Sequence, residues 1–278
     1  MSREVSGKGF WGCSFRLCLP LAVLLLWSVA ALVGPGLPLE PDRIDLSSIL
    51  APPTQAEALG YDDLGRPVLD RLLVGARTSF LVALGVVTVS LLLGSLIGGL
   101  AGMLGGWVDL LLVRLIDVFL AFPGILLAIA LAGVMGPGVD NLVIALSVVG
   151  WVGYARLVRA QVLSLKGRDH VTAAVALGTG RLRILVRHLL PLTLAPVIVE
   201  ATFGVATVVI AEAGLSFLGL GVQPPEASWG SMIRDGAGYM LVAPHLVLAP
   251  GIAISLVVLS VNLLGDRLRD RLDVRNRG

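Results

Sequence analysis

Arg156 to Pro191 reads RLVRAQVLSLKGRDHVTAAVALGTGRLRILVRHLLP, and this stretch fixes how the rest of the chain is arranged. It lies between long apolar runs, yet it holds Arg156, Arg159, Lys166, Arg168, Arg181, Arg183 and Arg187 against one acid, Asp169. In a membrane protein such an excess of positive charge belongs on the cytoplasmic side. Its middle, His170 to Gly178, is too short and too closely flanked by charge to cross a bilayer. Ala173, Ala174, Ala176 and Gly178 carry little side chain, so a short helix here lets another protein's backbone come close. Asp169 or Thr172 is placed to cap its start, and Gly178 suits its end. Pro191 stands at the entry of the next apolar run, where a missing N–H costs nothing.

Composition agrees with a membrane setting. Of 278 residues 56% are hydrophobic and only 14% charged, against about 25% charged in soluble domains. The expectation is an all-α, polytopic membrane protein. Cys13 and Cys18 fall before or inside the first apolar run and form neither a disulfide framework nor a metal site. A phosphate-binding loop needs Gly-Lys followed by Ser or Thr, but Gly9 follows Lys8 and Leu165 precedes Lys166. ATP binding by that motif is excluded, and no cofactor is expected on this chain. No His-Glu-x-x-His helix exists among His170, His188 and His245, so no metal is expected either.

In order, the chain reads as a cytoplasmic N-terminus (1–16), a first transmembrane helix (17–36) and an external loop (37–77). A five-helix core (78–265) follows, with the cationic loop at 156–191 and an external loop at 215–245. A cytoplasmic tail (266–278) ends it. The first apolar run exceeds a cleavable signal's core, and five more spans follow, so it is read as an anchor. Span two, from about Thr78 to Met103, carries Gly85, Gly94, Gly98 and Gly99, which favour close helix packing. A short turn, Gly105 to Arg114, leads to span three, about Ile116 to Met135, where Pro123 is expected to kink the helix beside Asp117 and Phe122. Span four covers about Leu142 to Leu157, and span six about Leu246 to Leu264. Glu200 and Glu212 lie in span five, Leu192 to Gly214, where buried carboxylates are costly and need a cavity or a partner. Glu200 is read as facing a pathway; Glu212 is read equally as lining one or as anchoring the helix end. Leu215 to Gly230 cannot form one helix through its glycines and Pro224-Pro225, and is expected with Trp229 at the membrane surface or dipping in beside the pore. Sixteen cations fall on the assigned inner side and five on the outer, which puts both termini in the cytoplasm.

Several of these segments resemble ABC-importer permeases, nearest the C-type subunit of dipeptide, oligopeptide and nickel importers. Thr172-Ala-Ala-x3-Gly178-x9-His188-Leu-Leu-Pro191 is similar to the family's "EAA" loop, with Thr172 where Glu is usual. Leu59 to Arg77 resembles an external family segment, with Tyr61 and Pro67 in place of Thr and Asp; Asp63, Arg66 and Arg71 are read there as an outer polar network. Arg114, Asp117 and Ala121-Phe-Pro123 match a third motif, Gly150 to Gln161 a fourth, and Leu215 to Gly230 a fifth. The resemblance implies six helices of the type I importer permease kind and a coupling loop, Thr172, Ala173, Ala174, Gly178, His188 and Pro191, that docks on an ATPase. The pathway candidates are Asp117, Phe122, Pro123 and Glu212, which stand in family-like motifs, together with Glu200, which is less typical of the family and is read from its depth in span five. The resemblance also implies a gate and binding-protein dock at Phe217, Gln223, Pro224, Pro225 and Trp229. The implied partners are a second homologous permease, two ABC ATPase subunits carrying ATP-Mg, an external solute-binding protein and membrane lipid, with no nucleic acid.

Two other classes fit less of the chain. An ATP-independent carrier or channel often shows broken helices at matching positions of two halves, and the Phe122-Pro123 break has no evident twin. An intramembrane serine peptidase built on Ser216 and His245 has Phe217 where those enzymes place Gly.

Overall fold

The computed structural model describes residues 9–55 and 57–272. Arg3, Lys8, Arg275 and Arg277, cations used in assigning orientation, lie outside the described residues, as does the side chain of Arg16. Within them the regular structure is helical, apart from one antiparallel bridge between Tyr61 and Pro67. The helices are α1 (Gly9–Val33), α2 (Val68–Leu104), α3 (Gly106–Leu120), α4 (Gly124–Met135) and α5 (Val139–Leu165). They continue with α6 (Asp169–Ala176), α7 (Arg181–Ile184), α8 (Leu190–Phe217), α9 (Trp229–Ala237) and α10 (His245–Leu272). Five helical stretches are long and apolar enough to cross a bilayer, or six if the bent pair α3 and α4 counts as one.

The centre is the crossing of α2 and α5. Gly94, Gly98 and Gly102 recur every fourth residue on α2 and so share a face. A methyl group built on Gly94 would stand 2.5 Å from the Trp151 carbonyl oxygen, and one on Gly98 would strike the backbone of Ala155. Apolar helices approach this closely only where side chains are absent. Gly85 is different: a methyl there meets only Val143, at 3.7 Å. At one end of the bundle α1 is pinned by aromatic rings, because each indole N–H there finds a helix carbonyl. Trp27 Nε1 donates to the Ala76 carbonyl and Trp229 Nε1 to that of Leu72, both at 3.0 Å. Their ring centroids lie 5.9 Å apart.

Several boundaries differ from the sequence reading. α1 already runs from Gly9, and α2 starts at Val68 rather than Thr78, so the end of the expected external loop is helix. Asp70 in its first turn suits the positive end of the helix dipole. The expected turn from Gly105 to Arg114 is instead the start of α3: Gly105 and Gly106, with φ of 65° and 56°, end α2, and helix resumes at once. Arg159 then clamps α3 to α5 through a two-point contact with Asp109, Nη2 to Oδ2 at 2.7 Å. Pro123 does more than kink a helix, for α3 and α4 are separate and bent by 84°. α5 continues past Leu157 to Leu165, because Val158, Val162 and Leu165 recur at helical spacing and bury against Val171, Ile184 and Leu185. Pro191 stands in the first turn of α8, as read, but the helix does not start free there. Arg181–Phe217 is one helical stretch, and a π turn at Leu185–Leu189, where Leu190 N–H reaches the Leu185 carbonyl, precedes the proline.

A polar collar forms in the segment before α2, and its hub is Asp62, not Asp63. Asp62 Oδ1 accepts from the N–H groups of Leu64 and Arg66, and Oδ2 accepts from Arg66 Nε at 2.7 Å. Buried Arg71 stands 3.6 Å from the same oxygen and 3.4 Å from Asp42. Asp63 reaches Arg66 only at 3.7 Å. Burial pushes the Asp63 carboxyl up, the adjacent Asp62 carboxylate adds to this, and Arg66 opposes it. A carboxyl raised in the folded state favours folding when protonated, so stability declines as pH rises through the raised value. Asp63→Asn should remove that decline: as pH rises above the ordinary aspartate value of about 4, its melting temperature should lose less than the parent's. Parallel curves would contradict the assignment.

Candidate functional site

Two features stand out: a short helix at one end of the bundle and a cavity inside it. α6 is held by Val171 and Ala174, which bury into the cluster formed by α5, α7 and the π turn. Arg168 is its N-cap and no side chain caps it, so neither Asp169 nor Thr172 has the expected capping role; the Thr172 hydroxyl turns back to the Arg168 carbonyl at 3.3 Å. The other end behaves as read. Gly178 has φ 77°, its N–H meets the Val175 carbonyl at 2.9 Å, and the Thr179 N–H meets that of Ala174 at 3.0 Å, the paired bonds of a Schellman motif. Ala174 therefore faces inward, while Thr172, Ala173, Val175, Ala176 and Leu177 face out, Leu177 at 85% exposure. His188, half-buried in the π turn, and exposed Pro191 lie beyond α7.

The cavity, of about 300 Å³, lies between α2, α4, α5 and α8. Its wall is mostly apolar, with Ser90, Tyr154, Glu200 and Thr207 as the polar exceptions. Glu200 lines it, and Gly124 and Ile125 at the start of α4 contribute. Asp117 and Phe122 are exposed and Pro123 is the N-cap of α4; none of them borders the cavity. Glu212 does not border it either. It is fully buried, accepting from Ser79 Oγ at 2.9 Å and Ser216 Oγ at 2.8 Å, so its carboxylate ties α2 to the end of α8.

The segment after α8 is ordered by its own polar groups. Phe217 is the exposed last residue of α8, Gly219 turns the chain with φ 80°, and the Gln223 amide donates to the Gly219 carbonyl at 3.0 Å. Pro224 and Pro225 are exposed, and Ser228 then caps α9 by a reciprocal pair with Ser231. Trp229 is 3% exposed in the aromatic cluster against α1. Ser216 bonds Glu212, and His245 Nε2 sits 3.4 Å from the Tyr61 carbonyl, so the two form no nucleophile–base pair.

Sequence reasoning missed Ser90 and Tyr154. Each hydroxyl is buried with no hydrogen-bond partner among the described residues. No local signal marked them, since Ser79, Thr88 and Ser95 share the apolar run of Ser90, and Ser147 that of Tyr154.

Residues 94–278 match a family model described as binding-protein-dependent transport system inner membrane component. The chain is 44% identical over 227 residues to the dipeptide transport system permease protein DppC of Alkalihalophilus pseudofirmus, covering 82% of this chain and 75% of that protein. It is 40% identical to the nickel transport system permease protein NikC of Escherichia coli K12, covering 95% and 96%. It is also 40% identical to the glutathione transport system permease protein GsiD of Pectobacterium atrosepticum, covering 91% and 84%. A chain of the inward-facing MetNI methionine ABC transporter shares the fold, with a TM-score of 0.59 at 19% identity over 74% of this chain and 96% of that one.

Proposed function

This chain belongs to the binding-protein-dependent transport system inner membrane component family, as a multi-pass inner-membrane permease, and on that premise we propose how it works. It forms part of the path for dipeptides, oligopeptides, nickel or another small solute delivered by an external binding protein. A second, homologous permease completes the path. Two separate ABC ATPase subunits, which hold ATP-Mg, drive it from the inner side, where both termini lie.

The exposed apolar side of α6 carries this reading. Val171 and Ala174 fasten the helix to the bundle, and Ala173, Val175, Ala176 and Leu177 are left for an ATPase groove. Contacts with α5 on one side and α7 on the other make a displaced α6 carry the bundle with it. To do work, the ATPase must hold α6 with different affinity in its open and closed forms. Relatives named for dipeptide, nickel and glutathione transport match along most of their length, so solute choice is assigned to the binding protein.

Leu177→Asp tests the dock. The residue is 85% exposed, so the fold tolerates the change, and an interface anchor lost there costs about 2 kcal/mol or more. ATPase recovered with the purified permease should fall roughly 30-fold at limiting concentration, and ATP-driven uptake should fall with it. Gly178 is a poorer probe, because any side chain at φ 77° strains the helix end. Undiminished recovery and uptake in Leu177→Asp would overturn the assignment.

A further inference from the structure

Glu212 has more partners than a tie between α2 and α8 requires. It is 0% exposed on a membrane-spanning helix, where an ionisable group is costly and marks a working part. Ser79 Oγ donates to its Oε2 and Ser216 Oγ to its Oε1, and the Ser228 hydroxyl is a third partner. All three serines are fully buried. Ser216 Oγ in turn accepts the Val222 N–H at 3.4 Å, and Ser228 Oγ accepts that of Ser231 at 3.2 Å. One carboxyl group thus gathers α2, the end of α8, the chain at Val222 and the N-cap of α9. Missing side chains let these parts meet: a methyl on Gly221 would strike Ser216 Oγ, and one on Gly230 would stand 2.5 Å from the Ala213 carbonyl oxygen. Between Ser216 and Ser228 the chain covers one end of the bundle. Leu220 packs on a cluster that includes Val86, Ala128 and Leu146, which also wall the central cavity. The Gly221 carbonyl accepts the Gly138 N–H, at 3.1 Å, from the turn between α4 and α5.

We propose that Glu212 is a positioning residue for the outer gate of the transport path: its carboxyl holds residues 218–230 down over the cavity's end, and that end opens when the hub parts. The inference rests on the permease reading and names the group on which its outer closure turns. Hydrogen bonds weaken steeply with distance and angle, so a hub of them is made or broken as a unit, whereas apolar contacts yield by degrees. Buried polar groups must keep partners. As the segment lifts, water reaches the carboxyl and the serines that leave it, so both positions satisfy the same groups. An apolar cluster at this place would favour the shut position alone. Gly219, at φ 80°, is the turn at which the segment leaves α8. On the permease reading ATP-driven motion at α6 opens this end, so a weaker latch shifts the population toward the form that working ATPases select.

The test uses the transporter assembled with its ATPases in nanodiscs, with Cys13 and Cys18 replaced by serine and Val222→Cys as reporter. Val222 is 0% exposed, so a thiol there is reached from water only when the segment lifts. Labelling by the permanently charged 2-(trimethylammonio)ethyl methanethiosulfonate is measured together with ATP hydrolysis in the absence of any binding protein. Parent and Glu212→Gln are compared. The glutamine keeps the shape but turns an NH2 group on hydroxyls that need an acceptor. Labelling should quicken roughly tenfold or more, and unaided ATP hydrolysis should rise with it. A role confined to folding predicts less assembled transporter and no gain in hydrolysis. Ser79→Ala, which leaves the carboxyl with two serines, should show the same two rises more weakly and serves where Glu212→Gln fails to assemble. Labelling no faster in either variant, faster labelling without added hydrolysis, or failure of both variants to assemble overturns the assignment. Co-purification of the ATPases with the parent is scored separately: without it the permease reading falls, and with it these outcomes judge the latch alone.

Discussion

Gly98→Ala is expected to cost the protein most of its folded yield, whereas Gly85→Ala on the same helix leaves it unharmed or slightly raises stability. The chemistry is identical and only the neighbour differs. At Gly98 the added methyl strikes the carbonyl of Ala155, a backbone atom in the middle of α5 that cannot step aside; at Gly85 it meets a Val143 methyl at 3.7 Å. Overpacking a close helix crossing costs typically about 1–3 kcal/mol, and here sits at the upper end because the obstruction is backbone. Against it stands the gain of about 1 kcal/mol that alanine brings over glycine in a helix, which dominates at Gly85. Thermal unfolding in detergent, with the monodisperse fraction by size exclusion, reads both. Equal behaviour of the two variants would mean that α2 and α5 are not packed on the Gly94–Gly98–Gly102 face.

Asp62→Ala should be nearly as damaging, and for an electrostatic reason. The substitution strips one carboxylate from two backbone N–H groups and from Arg66, and leaves Arg71 with only exposed Asp42 and the Pro41 carbonyl, each at 3.4 Å. Arg66 and Arg71 are 8% and 3% exposed. Removing one partner of such a buried set costs about 3–5 kcal/mol, because the remaining charge stays buried and uncompensated. The melting temperature should fall by about 10 °C. Asp62→Asn keeps an acceptor for the Leu64 and Arg66 amides and should lose clearly less. A melting temperature unchanged in Asp62→Ala would show that the collar is not a structural unit.

Much of this was legible in the sequence for physical reasons. Long apolar runs announce spans, and the glycine at 178 ends α6 because left-handed backbone suits it. The family resemblance was legible too, carried by motifs spread from Leu59 to Gly230. What escaped was whatever charge concealed. Asp70, Arg71 and Arg77 marked a loop in the sequence, yet they ride on the first turns of α2, with Arg71 buried in the collar. Arg159 read as loop charge, whereas it sits on α5 with Asp109 as partner, fifty residues away. Trp229 gave no local sign of its partner, the Leu72 carbonyl 157 residues away. Ser90, Tyr154 and Glu200 come from three helices, so no local pattern could group them, and the same holds for Ser79 and Glu212.

The separation of α3 from α4 carries a last consequence. α4 has twelve residues, about 18 Å of rise, against about 30 Å of hydrocarbon. The break before α4 consequently cannot face acyl chains, which offer nothing to the first amides of a helix, here those of Gly124 and Ile125. A solitary copy in lipid would have to draw water inward at that corner or thin the leaflet around it. A copy shielded there by a neighbouring polypeptide is spared both distortions, so orphaned subunits should be poor residents of the bilayer however well their own helices pack.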